Sequence, residues 1–391
     1  MSGRIKLIGI VALAVGLALS FSSCSRSVST STQKLSVPSS SKTTTASTNI
    51  VGTENGITTS WIQSQEATWT TKSNYPLLVY PFFETASYDN IEEQGVTASV
   101  LNENLNMLES LGGTGITIHM GYDPWLINIP NAKSQDQEIA SSLQSNNQTL
   151  MLADASAEYY RHNKLSWSDF ETAWINRVKT LAAIFHPAYY TVIKEPPWYI
   201  PMVAGVNRDG TGTTDAQLED PTQWSSLLQS LIAAVKSVSP STKVGIAVSG
   251  DLYDGKPSGA LDTALLKLAV KMNNLDYIGF DLYTSTAFSN TVQFLHSNGA
   301  NGKEIWIAET WSATTPNYAF SQTRSSLDVA WAKFLFQYAH YIGATGIVPF
   351  YTDAFSSYSE PPTSTSGLLS YFNSRTPVFN EFQSLISSQN K

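Results

Sequence analysis

Short apolar runs alternate with longer amphipathic segments along most of this chain. PLLVYPFF (76–83), TGITIHM (114–120), QTLMLADAS (148–156) and AYYTVIKE (188–195) read as strands, followed by KVGIAVSG (243–250), DYIGFDLYT (276–284), KEIWIAET (303–310) and TGIVPFYTD (345–353). Each is short, nearly continuous in apolar residues and rich in β-branched or aromatic side chains, the pattern of a strand buried on both faces. Helical spacing fills the intervals. Val100, Leu101, Leu105 and Leu108 share one side of a predicted helix over 97–111, and Trp174, Val178, Leu181 and Ile184 share one side of another that Ser166 caps. Asp220 followed by Pro221 predicts a helix start, and Gly343 a helix end. Further helices are predicted over 134–146, 260–272, 290–298, 325–343 and 378–388.

Eight strand–helix pairs in one series predict an α/β protein, a (β/α)8 TIM barrel. A doubly wound open sheet is the competing arrangement. It lacks the Gly-rich phosphate fingerprint that would follow its first strand. Residues 49–74, with Trp61 and Trp69, either cap the bottom of the barrel or line one edge.

The first fifty residues break the pattern. MSGRIK is basic, LIGIVALAVGLALSF is apolar, and SSCS follows, so residues 1–23 read as a secretory signal. The apolar run is short for a spanning helix. Cys24, the one cysteine of the chain, stands where a lipoprotein signal places the lipidated residue, with Phe21 in place of the usual aliphatic residue. Residues 25–48 contain 15 Ser or Thr in 24 positions, too polar to build a core. The expected organisation is a lipoprotein-type signal (1–23), a disordered tether (24–50) and a barrel domain (51–391). The protein is then exported and held at the cell surface through Cys24, its only link to the membrane. A single cysteine leaves the barrel no internal disulfide.

Composition narrows the class of ligand. The chain has 391 residues and a net charge of −8, which argues against nucleic acid or an anionic membrane surface as partner. Only 14% of residues are charged while 11% are aromatic, a balance suited to neutral polar ligands. The five histidines are scattered, with no spacing that suggests a metal site, and no cofactor is implied. A monomer is expected.

In a barrel of this kind the working residues lie at the C-terminal ends of the strands. Those ends carry His119 and then Trp125 on strand two, Asp154 on strand three, and Lys194-Glu195 before Trp198 on strand four. Strand six ends in Asp281 and Tyr283, strand seven in Glu309 and then Trp311, and strand eight in Tyr351 and Asp353. A strict two-residue period places Glu195 with Ile193 and Glu309 with Ile307, on a face that would look toward the barrel axis. Strands four and seven oppose each other in an eight-membered ring.

Glu195 in VIKEPPW and Glu309 in WIAETW resemble the two catalytic glutamates of clan A glycoside hydrolases, and Tyr283 in FDLYTS resembles the strand-six tyrosine of that clan. The resemblance covers residues 75–390 as a topology and three short motifs in detail. It implies a retaining glycosidase acting on a β-linked poly- or oligosaccharide. Glu195 is then the acid/base, Glu309 the nucleophile, and Tyr283 the nucleophile's hydrogen-bond partner. His119, Trp125, Trp198, Asp281, Trp311 and Tyr351 become candidates for substrate contact. Two positions depart from the clan pattern: Tyr351 stands where many members use Trp, and Lys194 stands where an asparagine normally holds the sugar 2-hydroxyl. An ammonium there would lower the pKa of Glu195, meet an anionic group on the substrate, or mark a barrel that binds carbohydrate without turning it over. A two-lobed transporter-type binding lipoprotein is a further alternative.

Overall fold

A computed structural model describes residues 56–70, 75–82, 105–120, 132–145, 148–154, 166–196, 219–252, 257–312, 325–350, 356–358 and 372–389. The signal, Cys24 and the Ser/Thr-rich segment lie outside these residues, as do Trp125, Trp198 and Tyr351.

Eight parallel strands form one sheet: β1 (Leu78–Val79), β2 (Gly115–Met120), β3 (Thr149–Asp154), β4 (Tyr189–Lys194), β5 (Lys243–Ser249), β6 (Tyr277–Leu282), β7 (Glu304–Thr310) and β8 (Gly346–Pro349). Neighbours in sequence are neighbours in space, and β1 pairs with β8. The ring closes between β1 and β2, where Phe82 bridges Thr117 and the Thr117 amide donates to the Pro81 carbonyl at 3.0 Å. This is the (β/α)8 barrel the periodicity predicts, one closed ring rather than two lobes. Pro81 lacks an amide hydrogen and cuts the first strand short. Tyr80 and Phe82 still donate to Ile347 and Pro349, so the predicted run pairs along most of its length. A separate antiparallel pair joins β9 (Ser356–Tyr358) to β10 (Phe372–Arg375).

The labelled helices are α1 (Thr59–Thr68), α2 (Ala132–Ser145), α3 (Trp167–Phe185), α4 (Pro221–Val238), α5 (Pro257–Lys271), α6 (Ser285–Asn298), α7 (Ser325–Ile342) and α8 (Pro377–Gln389). Their caps follow the sequence. Ser166 accepts from the Asp169 amide, and Asp220 accepts from the Thr222 amide with Pro221 in the first turn. α6 begins five residues earlier than the periodicity suggests, because Thr284 caps the Ala287 amide and Ala287 and Phe288 are buried. The largely polar run TSTAFSN (284–290) hid that turn.

α1 docks on the outer wall. Trp61 meets Phe288 and Phe334, Trp69 meets Tyr338, and the Gln337 amide nitrogen donates to the Glu66 and Trp69 carbonyls. Residues 59–68 therefore lie against α6 and α7, not beneath the barrel.

The core has two parts. Outward strand residues and the helices form the larger one. The smaller one is built from strand residues and their immediate extensions, and fills the barrel interior. Rings from β4, β6, β7 and the β1 extension meet there: Tyr189 lies 4.7 Å from Trp306 and 5.6 Å from Tyr277, and Tyr80 lies 5.3 Å from Trp306. Glycines on adjacent strands make the room. A Cβ on Gly245 would fall 2.4 Å from the Tyr277 ring, and one on Gly346 would fall 2.6 Å from the Trp306 ring. Large rings set over absent side chains fill the interior, so it is a plug with a floor and not a channel.

Candidate active site

Three departures from regular strand geometry assemble the mouth. In β4 the register with β5 slips between Thr191 and Ile193, so Val192 and Ile193 both pack toward the helices and Lys194 turns inward. Glu195 follows with φ 42°, a left-handed conformation that is strained for any residue with a Cβ. In β7 the register with β6 slips between Ile307 and Glu309, which pair with Phe280 and Asp281 in turn. The skipped residue, Ala308, lies in the interior cluster, and Glu309 turns inward directly after it.

The strict two-residue reading is therefore corrected. Ile193 and Ile307 belong to the helix-facing core. The glutamates reach the mouth through bulges, which add one residue and re-aim the next side chain, and not by sharing a face with those isoleucines.

At the mouth, one oxygen each from Glu195, Asp281 and Glu309 lies within 4.8 Å of the others. Lys194 donates from Nζ to Glu309 Oε2 at 2.9 Å, with side-chain exposures of only 3% and 7%. The ammonium also lies 5.6 Å from the centre of the Phe350 ring. Asp281 is 2% exposed, and neither of its oxygens receives a hydrogen bond from an amide, hydroxyl or ammonium among the described residues. The group its carboxyl meets is that of Glu195. Three carboxyl oxygens at this spacing could bridge a divalent cation, but the Lys194 ammonium already stands at Glu309 and would repel one.

Electrostatics follow from this crowding. Burial, then the Glu309 carboxylate, pushes the Glu195 carboxyl up to about 7, with Lys194 pulling the other way. Burial also drives Asp281 well above the carboxylate range; Lys194 opposes it, while Glu309 and Glu195 add to it. For Lys194, burial alone would lower the pKa. The carboxylates of Glu309, Asp281 and Glu195 outweigh it and leave the ammonium above its ordinary value. A carboxyl that keeps its proton near neutrality beside a lysine-paired carboxylate is the separation that acid/base chemistry needs.

Other predicted residues distribute differently. Tyr283 is at the mouth, its ring 6.1 Å from Phe350. His119 is on β2, with its side chain outside the described set. Trp311 is 1% exposed and turns into the helical layer, 4.9 Å from Trp331 and stacked on Phe382 at an interplanar angle of 5°. It is a wall residue, and the structure does not bring it to the carboxylates. Asp154 is also structural: it accepts from Tyr190 Oη at 3.0 Å and faces Arg177 Nη2 at 3.5 Å, tying α3 to β3 and β4.

Two mouth residues escaped the sequence reading. Phe350 directly follows β8 with its ring 4.4 Å from Phe82, and its two-residue spacing from Val348 was a usable signal. Asp251, past the end of β5, accepts from Thr284 Oγ1 at 2.5 Å and adds its charge to the field on Glu195. Its position directly after the strand-five run KVGIAVSG is the signal that marks it.

No protein-family model matches the chain, and no curated protein matches it in sequence. Solved structures do share its fold. A GH5_18 protein from Streptomyces cattleya, solved with GlcNAc, superposes with a TM-score of 0.58 at 10% identity, over 82% of this chain and 82% of that one. A β-glucosidase from Thermotoga maritima, solved with azafagomine, gives 0.51 at 10% identity, over 82% and 99%. A GH5 xyloglucan-specific endo-β-1,4-glucanase from a metagenomic library, solved with cellotriose, gives 0.51 at 13%, over 82% and 99%. The fold is thus the (β/α)8 barrel that these glycoside hydrolases share.

Proposed function

We propose that this protein is a retaining glycoside hydrolase acting on β-linked oligo- or polysaccharide, with Glu195 as acid/base and Glu309 as nucleophile. One observation carries the reading: carboxyl oxygens from the ends of β4 and β7 lie within 4.8 Å of each other at the mouth of the barrel. Retention requires carboxyl groups about 5–5.5 Å apart, whereas inversion leaves room for a water at about 6.5–9.5 Å. The barrels of similar fold named above, from a β-glucosidase and a xyloglucanase, support a β-linked substrate.

In the first step Glu195 gives its proton to the leaving oxygen while a Glu309 oxygen attacks the anomeric carbon, breaking the glycosidic bond and forming an ester. In the second step Glu195 takes a proton from water, whose oxygen displaces Glu309 with a second inversion. The pKa of about 7 on Glu195 suits a group that must be an acid and then a base near neutrality. Tyr283 and Phe350 supply ring faces beside the reacting centre. The test is a panel of aryl β-glycosides and β-glucans, with the anomer of the first product read by NMR. Retained configuration, abolished by Glu309→Gln with the fold intact, is the expected result. Full activity in that variant would overturn the assignment.

A second reading rests on the Lys194–Glu309 bond, which occupies an oxygen that the mechanism needs free. A barrel that binds carbohydrate without turnover would show sugar binding and no product, with Lys194→Asn restoring hydrolysis. Export and anchoring at Cys24 complete the proposal. Incorporation of labelled fatty acid, lost in Cys24→Ala, tests them.

A further inference from the structure

The Lys194–Glu309 bond has a consequence that the two-step reaction makes specific. Among the described residues, the free site holds one ammonium against three carboxyl groups. Lys194 neutralises Glu309, and Glu195 and Asp281 face each other with no second cation beside them among the described residues. When Glu309 becomes an ester it loses its charge, and Lys194 loses its partner. In the same step Glu195 gives up its proton. Two charges thus appear and vanish within one small buried triangle. A lysine on a flexible four-carbon stem is the element able to follow them.

We propose that Lys194 is a positioning residue that exchanges ion-pair partners during the reaction, holding Glu309 in the free enzyme and moving to Glu195 and Asp281 in the glycosyl-enzyme. This deepens the reading above and rests on it. The charges balance. Before the first step the site carries Lys194 positive, Glu309 negative, and one proton between Glu195 and Asp281. Afterwards that proton is on the leaving alcohol, the ester is neutral, and Lys194 faces two carboxylates. The total is unchanged at −1. Release of Lys194 toward Glu195 keeps that carboxylate ionised, ready to take a proton from water, and clears the Glu309 oxygen for the ester.

Among the described residues, the groups facing Lys194 are Glu309 on β7, Asp281 on β6, Glu195 on its own strand end and the Phe350 ring beyond β8, while Asp251 beyond β5 acts on Glu195. Asp281 gains a role here: once the shared proton has left with the alcohol, its carboxylate stands beside Glu195 and gives the ammonium a second berth. An asparagine at position 194 could not make this exchange, having no charge to move.

Glu309→Gln imitates the neutral, esterified nucleophile and needs no substrate. Its crystal structure at pH 7, solved beside the wild type, is expected to show Lys194 Nζ within hydrogen-bond distance of Glu195 or Asp281. An ammonium still bound to the amide oxygen at position 309 would overturn the proposal. Should that variant not fold, Glu309→Ala replaces it, and an ammonium that does not come within hydrogen-bond distance of Glu195 or Asp281 there overturns the proposal. On a glycoside that the wild type turns over, Lys194→Met is expected to slow the second step selectively. The expected signs are a burst of leaving group, accumulated glycosyl-enzyme in the intact mass, and kcat and KM falling together. The basic limb of its kcat/KM profile should also move upward, because Lys194 no longer lowers Glu195. Loss of the first step alone, with no burst and an unmoved pH limb, would make Lys194 a substrate contact and also overturn the proposal. A wild type that hydrolyses nothing while Lys194 still moves in Glu309→Gln would sink the glycosidase reading and leave the electrostatic exchange standing.

Discussion

Strand β7 carries a glutamate at each end of the barrel, and each is paired with a lysine. At the bottom, Glu304 bonds Lys243 of β5, which also donates to Tyr189 Oη at 3.3 Å; the two charged side chains are 44% and 27% exposed. At the mouth, Glu309 bonds Lys194 in near-complete burial. The chemistry is the same and the setting is opposite. Below, one cation meets one anion over a packed aromatic floor, and water screens both. Above, among the described residues, one cation meets three carboxyl groups, and burial with the neighbouring carboxylates raises the pKa of two of them, Glu195 and Asp281. Surplus buried charge destabilises a fold. A matched, solvated pair at one end of a strand and a crowded, buried one at the other is the contrast expected if the mouth carries the chemistry proposed above.

The largest test of this contrast exchanges the two glutamates for glutamine separately. Glu309→Gln is expected to lower kcat/KM by roughly 10³-fold or more, with a melting temperature equal to or above that of the wild type. Glu195→Gln should cost about 10²–10⁴-fold on substrates with poor leaving groups and far less on activated aryl glycosides, which need no proton.

Glu195 also sets two pH dependences. As the acid it must be protonated, so kcat/KM should fall as pH rises through about 7. Its folded pKa of about 7 lies above the ordinary 4.5, so the folded state binds more protons than the unfolded one between those values. Stability should therefore decline as pH rises from 4.5 to 7. Glu195→Gln should flatten that decline in urea titrations run across the window.

The bottom should respond in stability alone. Trp306→Ala, which empties the centre of the aromatic floor, should cost about 3–5 kcal/mol. Gly245→Ala, with its Cβ driven into the Tyr277 ring, should cost about 1–3 kcal/mol. The smallest effect belongs to Glu304→Gln: no more than about 1 kcal/mol of stability, given its exposure, and turnover within about twofold. A large loss of activity there would break the division between a structural floor and a reactive mouth.

The apolar runs, the helix caps at Ser166 and Asp220, and the eightfold repeat were legible in the sequence because each is a local signal whose period fixes its partner. So was the placement of Glu195 and Glu309 at the ends of strands four and seven, which follows from counting elements. The orientation of those glutamates was not legible. Period-two reasoning grouped them with Ile193 and Ile307, and only bulges in β4 and β7 and a left-handed Glu195 detach them. A bulge arises from how two strands register under the closure of the whole ring, and no short stretch encodes it. Trp311 looked like a platform for sugar because a Trp beside a rim glutamate fits that role. Whether an indole turns to the mouth or into the gap between α7 and α8 depends on what fills that gap, here Trp331 and Phe382.

The sequence by itself determined the fold class, the strand ends that carry acid groups, and the presence of a lysine where the clan places asparagine. The tertiary structure decided that this lysine binds Glu309, that Asp281 faces Glu195, and that the described residues of the mouth set one ammonium against three carboxyl groups. These are pairings between residues far apart in the chain. Coulomb energy between them depends on separation and burial, and both exist only once the barrel has closed.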